Sequence, residues 1–595
     1  MNLINLLSKT DFKVALDCPT KLYYRKNNYA SDKDGNTYME YLAEGGYAVA
    51  KMATLYFPTG TRIDNYSGVE KALKETQELI QQEDCILFEA AFNAGHKLAV
   101  VDILLKKGNQ IELIEVKSKG HDDNENISKI WAEEIMDVAF QKQVIQEAYP
   151  DFEISCYIMA PDKNKATEIE GLNALFKLNN YEQKNGFEFF DIAYSGSATM
   201  IQEDELLTKV DINQEVLKCA ANINQLVSRF EASIHPTIEK IPTKLSKKCF
   251  NCEYKDSGKK ECWEHKDIPA HSIEDLFFIG VLGGTKEPIA NEMIESNTLS
   301  LFDIPQDVLS GKRGERQHIQ IQYTREQKEW FAPNLKSELN ALEYPLHFID
   351  FETATSALPF HKGMYPYEMS AFQWSCHTIP HPGAEPIHSE WINFSPEFPS
   401  FKFAESLKAQ IGDTGTPFMW ATHENTTLRN IYQQAERYQY QNQELLDWLK
   451  RLVKMDKKDE GRFIDMNKLC IDSYFHPFMK GRTSIKVTLP AVLLANKSQR
   501  TVEWLKHFSP DIDLYATNEK GQIIDPYKQL PPMDFPELTE TVNEGTAAMR
   551  AYEDMLFGKA QGNLEMQNAY KKALLNYCKL DTLAMVIIWE HWHKS

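Results

Sequence analysis

KLAVVDILLKKGNQIELIEVKSK, residues 97–119, has the pattern of two strands closing a hairpin. Apolar residues fill both runs, and Lys107-Gly108-Asn109 sits where a tight turn belongs. Side chains alternate across a strand, so Glu115 and Lys117 share one face while Val116 points the other way, into the core. Asp102 interrupts the otherwise apolar first strand, and an unpaired buried carboxylate is costly. Two carboxylates and an ammonium therefore converge. Hard carboxylate oxygens suit Mg2+ or Mn2+, which polarises a phosphate and lowers the pKa of an attacking water. The lysine can orient that water or stabilise developing charge. Taken alone, Asp-x(n)-Glu-x-Lys also suits a surface hairpin with an exposed Glu/Lys pair.

Around this hairpin the first half reads as one unit. Helical patterns cover about 36–55 and 67–83, and ILFEAAF (86–92) adds a strand before the hairpin. A helix over about 129–148 and the strand FEISCYIMA (152–160) follow, then a long helical section ending in a cysteine-rich tail. Residues 266–335 read as a connector. The second unit opens at LHFIDFET (346–353) and continues with the strand FQWSCHTI (372–379), the helix FKFAESLKAQI (401–411) and the strand PFMWATHE (417–424). Residues 425–454 are helical again, and a last helix covers about 565–592. Alternating strands and helices predict an α/β architecture, with domains at 1–265 and 336–595. A chain of 595 residues fits two such domains.

The formal net charge is −21. This weighs against a nucleic-acid partner, because affinity for phosphates comes from Lys and Arg. Metal sites consume carboxylates, however, and a local basic channel can coexist with an acidic exterior. No apolar run reaches the roughly 20 residues that span a bilayer, and the N-terminus lacks the regions of a signal peptide, so a cytoplasmic protein is expected. Ten cysteines in such a chain are not a disulfide framework. Cys85, Cys156, Cys219, Cys376, Cys470 and Cys578 read as scattered structural residues. Cys249-x2-Cys252 followed by Cys262 is a metal signal, compatible with an iron–sulfur cluster or with zinc completed by His265.

The Asp102…Glu115-x-Lys117 pattern resembles the PD-(D/E)xK nuclease superfamily. DCPTKLYYRKNN (17–28), FEAAF (88–92) and AFQKQ (139–143) narrow the resemblance to the RecB-type iron–sulfur nucleases, a group that includes the CRISPR adaptation exonucleases and the AddB nuclease. The resemblance implies a restriction-endonuclease-like fold, with Glu89 and Gln141 near the active site. It also implies a 4Fe–4S cluster on Cys18, Cys249, Cys252 and Cys262. Many relatives carry a metal-binding histidine on an early helix. The corresponding EGGYAVAKMA (44–53) has none, which leaves the metal count open, with Glu89 as a substitute ligand.

In LHFIDFET, Asp350 and Glu352 are two apart and face the same side of a strand, which is how a two-metal site begins. In LLNYCKLDTLAMVIIW, Tyr577 and Asp581 are four apart and share a helical face. Together these resemble the tyrosine variant of the DEDD exonucleases, which implies an RNase H-like mixed-sheet fold. In that reading Tyr577 positions the water and Asp581 completes the metal shell. WATHENTTLRNIY (420–432) places Glu424 just after a strand, where an acidic ligand is expected, with His423 a neighbour and Asp465 and Asp472 in reserve. Lys480, Arg482 and Lys486 are candidates for holding a nucleic-acid backbone. The text over 345–595 resembles an uncharacterised bacterial domain that often follows a RecB-type nuclease. The expected function is a metal-dependent DNA exonuclease in repair, recombination or defence against foreign DNA. Processing of RNA or RNA–DNA hybrid, and a nucleic-acid-binding scaffold with one inactive module, are the alternatives. No P-loop is present, so a helicase would be a separate partner.

Overall fold

The computed structural model describes residues 5–32, 37–184, 187–255, 261–264, 266–284, 288–495, 498–533, 535 and 541–595. His265, the fourth ligand of the zinc reading, lies outside them. The chain forms two compact units. The first takes Met1–Lys244, Asn251–Glu264 and Thr355–Glu368, and the second takes Leu245–Phe250, His265–Ala354 and Met369–Ser595. Both are mixed α/β. Among the described residues, no helix is long and apolar enough to cross a membrane.

In the first unit the order is β1 (Leu7–Ser8), α1 (Lys9–Asp17), α2 (Pro19–Lys26), α3 (Thr37–Leu55), β2 (Thr61–Arg62), α4 (Val69–Leu79), β3 (Asp84–Ala94), β4 (Lys97–Lys107) and β5 (Gln110–Val116). There follow α5 (Ile127–Ile130), α6 (Ala132–Ala148), β6 (Glu153–Pro161), β7 (Phe176–Lys184), β8 (Phe187–Tyr194), α7 (Ala198–Asp204), β9 (Leu207–Asp211) and α8 (Asn213–Ala232). The main sheet runs β2-β3-β4-β5-β6-β9, and β1 pairs with β4. The apolar residues of β4 and β5 are divided between two cores. Val101, Leu104, Ile111 and Leu113 meet the Ile135, Val138, Phe140 and Val144 face of α6. Ile103 and Ile114 meet Val49 and Met52 of α3. Each side chain of this kind, fully buried, contributes about 1.5–3 kcal/mol. Gly95 and Gly108 take φ of 60° and 58° in the two hairpin turns, a backbone region that glycine enters without strain.

Two expectations about this half change. The section after residue 160 is not one long helical stretch, because β7, β8 and β9 lie within it. Phe187, Phe189, Phe190 and Tyr194 in β8 are strand-favouring types that outweigh the helical reading. The unit also does not end near residue 265, because Thr355–Glu368 belongs to it. That segment puts Ala357 and Leu358 into the core around Ile103 and Phe176. Its backbone bonds to residues 167–173, with Gly363 N donating to Thr167 O at 2.8 Å and Gly171 N to Phe360 O at 3.0 Å.

The second unit is built on the sheet β13-β12-β11-β14-β15, with β11 (Leu346–Ala354) central, β12 (Ser370–Ile379) and β13 (Ile387–Ile392) antiparallel, and β14 (Thr416–Met419) and β15 (Ile464–Asp465) parallel. Ile349, Phe351 and Trp374 face the helices Ser400–Ile411, His423–Arg437 and Gln443–Leu452. The opposite face, with Asp350 and Glu352, lies against the C-terminal helix Leu564–Lys594, where Phe348 meets Trp589 at a ring separation of 6.0 Å. Residues 266–335 are part of this unit rather than a connector. The helix Gly311–Glu326 buries Arg316, Gln317 and Gln320. These side chains bond to backbone, Gln317 Nε2 to Phe277 O and Gln320 Nε2 to Asp275 O, both at 2.6 Å. A helix that packs through polar groups leaves no apolar stripe for a sequence reading to find.

Candidate active sites

The first site gathers on β4, β5, α1 and α6. Glu115 is 1% exposed. Its carboxylate accepts from Lys117 Nζ at 2.7 Å, from Lys9 Nζ at 2.9 and 3.2 Å, and from Gln141 Nε2 at 2.7 Å. Asp102 Oδ2 accepts from the Val116 N–H at 2.7 Å, and its Oδ1 lies 3.7 Å from Lys9 Nζ. The hairpin thus brings Asp102, Glu115 and Lys117 together, with Gln141 from α6 beside them. Glu89 on β3 has φ of 58°, a region non-glycine residues seldom occupy, and its carbonyl accepts from Asn65 Nδ2 at 3.0 Å.

Burial sets the electrostatics of this cluster. It pushes the Glu89 carboxyl up to about 7, with the Asp102 charge adding to the effect. Asp102 is also raised, by burial and then by Glu115. Glu115 runs the other way, because Lys117 and Lys9 outweigh the burial that would raise it. Lys9 stays raised although burial works against its charge, since Asp102 and Glu115 flank it. Asp137 Oδ1 and Gln141 Oε1 are buried without a hydrogen-bond partner. Raised carboxyls and unpartnered oxygens mean more acid than the ammonium groups satisfy, and that donor set fits a hard divalent cation.

Three charged residues here were missed in the sequence. Lys9 and Lys13 are one turn apart on α1, and Lys13 Nζ lies 3.7 Å from Asp137. Asp137, one turn before Gln141 on α6, also lies 3.6 Å from Lys117 Nζ. The i, i+4 spacing Asp137/Gln141 was the available signal.

The second site lies between β11 and the C-terminal helix. Ligand atoms of Asp350, Glu352 and Cys578 all fall within 4.8 Å of one another. Cys578 had read as a scattered structural residue; instead its thiol donates to Asp350 Oδ2 at 3.3 Å. Asp581 accepts from the hydroxyl of Tyr527, a tyrosine the sequence gave no reason to choose, and Tyr577 packs 6.5 Å from the Tyr527 ring. Lys486 lies over both rings, 4.9 Å from Tyr577 and 5.4 Å from Tyr527. Burial raises Asp350, Glu352 and Glu424 well above the usual carboxylate range, and neighbouring carboxylates add to it. Asp581 is pushed up to about 6, again by burial. Glu424, in the first turn of the helix His423–Arg437, has a buried Oε2 with no partner. Four raised carboxyls, three of them within reach of the Lys486 charge, fit a divalent cation as well.

The remaining candidates divide. Asp465 caps a helix through the Lys468 N–H and accepts from the Ala421 N–H, both at 3.0 Å. Asp472 pairs with Lys468 at the surface. His423 Nε2 lies 3.4 Å from Thr353 Oγ1. Lys480 pairs with Asp275 at 3.1 Å, so of the basic stretch Lys486 is the one that joins the acidic cluster.

The cysteines are shared between the units. Cys18 is the N-cap position of α2, and residues on either side of 256–260 pack on that helix. Lys21 Nζ meets Glu253 at 2.5 Å, and the Tyr24 hydroxyl lies 2.8 Å from Cys262 Sγ. Cys252 and Cys262 therefore lie along the helix that Cys18 begins. Cys249 belongs to the second unit, where its sulphur accepts from the Ser246 N–H at 3.5 Å.

A family model described as a domain of unknown function, DUF2779, matches residues 347–484. The match takes in Asp350, Glu352 and Glu424 and stops short of Lys486, Tyr577 and Asp581. No curated protein and no solved structure matches the chain.

Proposed function

We propose that this chain is a metal-dependent nuclease, a DNA exonuclease with two phosphodiester-cleaving sites. The observation that carries the reading is that both sites concentrate buried carboxyls in excess of their cations, beside a group able to orient water. In the first, Asp102, Glu115 and Glu89 would hold Mg2+ or Mn2+, Gln141 fixes Glu115, and Lys117 orients the attacking water. In the second, Asp350, Glu352, Glu424 and Asp581 would hold metal, and Tyr577 takes the water-orienting place. When bound, the metal supplies polarisation of the phosphate and a water of lowered pKa.

The hairpin-borne Asp102/Glu115/Lys117 set supports the PD-(D/E)xK resemblance and a restriction-endonuclease-like first unit. A mixed sheet with Asp350 and Glu352 on its central strand supports the RNase H-like reading of the second. The packing of residues 251–255 and 261–264 on α2 supports a stapling role for the cysteines, with 4Fe–4S preferred to zinc on the strength of the resemblance. DNA, a separate helicase and a cytoplasmic setting complete the proposal.

The test is cleavage of end-labelled single- and double-stranded DNA, RNA and hybrid with Mg2+ or Mn2+. Lys117→Ala and Asp350→Ala are each expected to remove one product ladder, by about 100-fold or more. Full activity in both variants on every substrate would sink the proposal.

A further inference from the structure

The position of Lys9 carries an inference about the first site. Its ammonium lies between the two metal-holding carboxylates, 2.9 and 3.2 Å from the Glu115 oxygens and 3.7 Å from Asp102 Oδ1. A cation bridging Asp102 and Glu115 from that side would need the same space. The lysine is also held from several directions. Ser8 caps α1 in a reciprocal capping box with Asp11, and Leu7 and Ser8 pair with Lys97 and Leu98 on β4, the strand that carries Asp102. Asp11 is clamped in turn by Lys26 Nζ at 2.7 Å and Arg25 Nε at 3.1 Å, and Lys26 also donates to Leu6 O at 2.8 Å. A capping box alone fixes the start of a helix. Here a strand pairing and two ion pairs add to it, so the first turn of α1, which carries Lys9, is fixed to β4.

Both Glu115 oxygens already face donors, ammonium groups among them. Oε1 takes Lys9 and Lys117, and Oε2 takes Gln141 and the longer Lys9 contact. Two divalent ions added to two ammonium groups would crowd four cations around this carboxylate. Glu89 and Asp102, whose carboxyls are held above the usual range, are the acids these ammonium groups satisfy least.

We infer that Lys9 serves as the second cation of this site, an ammonium built into the chain in the place of a bridging metal, so that the first site takes up one divalent ion. The inference rests on the metal-dependent reading above and specifies it. Lys9 would then stabilise charge on the scissile phosphate from a fixed position, independent of metal concentration.

Manganese binding to the full chain tests this, with the second site disabled by Asp350→Asn and Asp581→Asn. The count is made by equilibrium dialysis, and electron paramagnetic resonance distinguishes an isolated ion from an exchange-coupled pair. One uncoupled ion is expected in this background and with Lys9→Arg. Lys9→Met is expected to bind a coupled pair, or one ion at least tenfold more tightly. Lys9→Gln, which keeps a donor toward Glu115, takes its place if circular dichroism shows that the methionine variant is unfolded. Two ions with Lys9 intact, or unchanged count and affinity without it, overturn the inference alone. No manganese in any variant overturns the metal-dependent reading of the first site and this inference with it.

Discussion

Glu115 keeps its charge where little water reaches it because three donors surround it, two of them ammonium groups. Its burial would favour the neutral acid, and Lys117 and Lys9 outweigh that. Gln141 supplies the one uncharged donor, so its removal isolates a hydrogen bond from the ion pairs. Gln141→Leu is expected to lower stability by about 1.5–3 kcal/mol, the range for a hydrogen bond to a charged group. The readout is a shift of the urea midpoint at unchanged slope, and no shift would mean that Lys9 and Lys117 suffice. At this scale much was legible in the sequence. Asp102, Glu115 and Lys117 followed from alternation along two strands, and Asp350 with Glu352 from alternation along a third. Gln141 and Glu89 came from resemblance, not from pattern. Lys9 and Tyr527 were illegible, because nothing local marks a charged or phenolic side chain as turned toward a site.

At the scale of the element, the loop after β11 is instructive. Its strand carries Asp350 and Glu352 in the second unit, while Thr355–Glu368 folds with the first. Leu358 is 1% exposed and packs in the core that includes Ile103 and Ile114. Leu358→Ala should therefore cost about 2–5 kcal/mol, and the loss should appear in the first unit. Amide exchange should quicken in β4 and β5 and stay unchanged in β12 and β13. Faster exchange confined to β12 would contradict this assignment. The strap also gives Lys117 an indirect neighbour, since the Tyr367 hydroxyl donates to the carbonyl of Ser118. Residues 266–335 were read as a connector for a related reason: their main helix buries glutamines and an arginine, and apolar periodicity is blind to those.

For the molecule as a whole, the carboxyls of the second site give stability an unusual pH dependence. Asp350, Glu352, Glu424 and Asp581 are all raised on folding. A carboxyl raised in this way binds its proton more tightly folded than unfolded, so stability grows as pH falls toward the unfolded value near 4 and is lost as pH rises through the folded value. Asp581, raised from 3.8 to about 6, is linked to a change on the order of 3 kcal/mol. Scanning calorimetry in chelator should show the second unit melting higher at about pH 4.5 than at about pH 6.5, the interval between the unfolded value near 4 and the folded Asp581 value of about 6, with added Mn2+ reducing the difference because it favours the charged carboxylates. A metal-free midpoint that rises from the lower pH to the higher would count against the buried acid cluster. What the sequence by itself determined is what local periodicity can encode: two α/β halves, the hairpin over 97–116, and carboxylates spaced to share a face. A strand alternates and a helix repeats whatever lies beyond it, so those faces are fixed by nearest neighbours in the chain. Only the tertiary structure decided which faces meet. Lys9 reaches Glu115 across 106 positions and Tyr527 reaches Asp581 across 54. Contacts at such separations depend on how the whole chain closes over its cores, and no window of sequence contains that information.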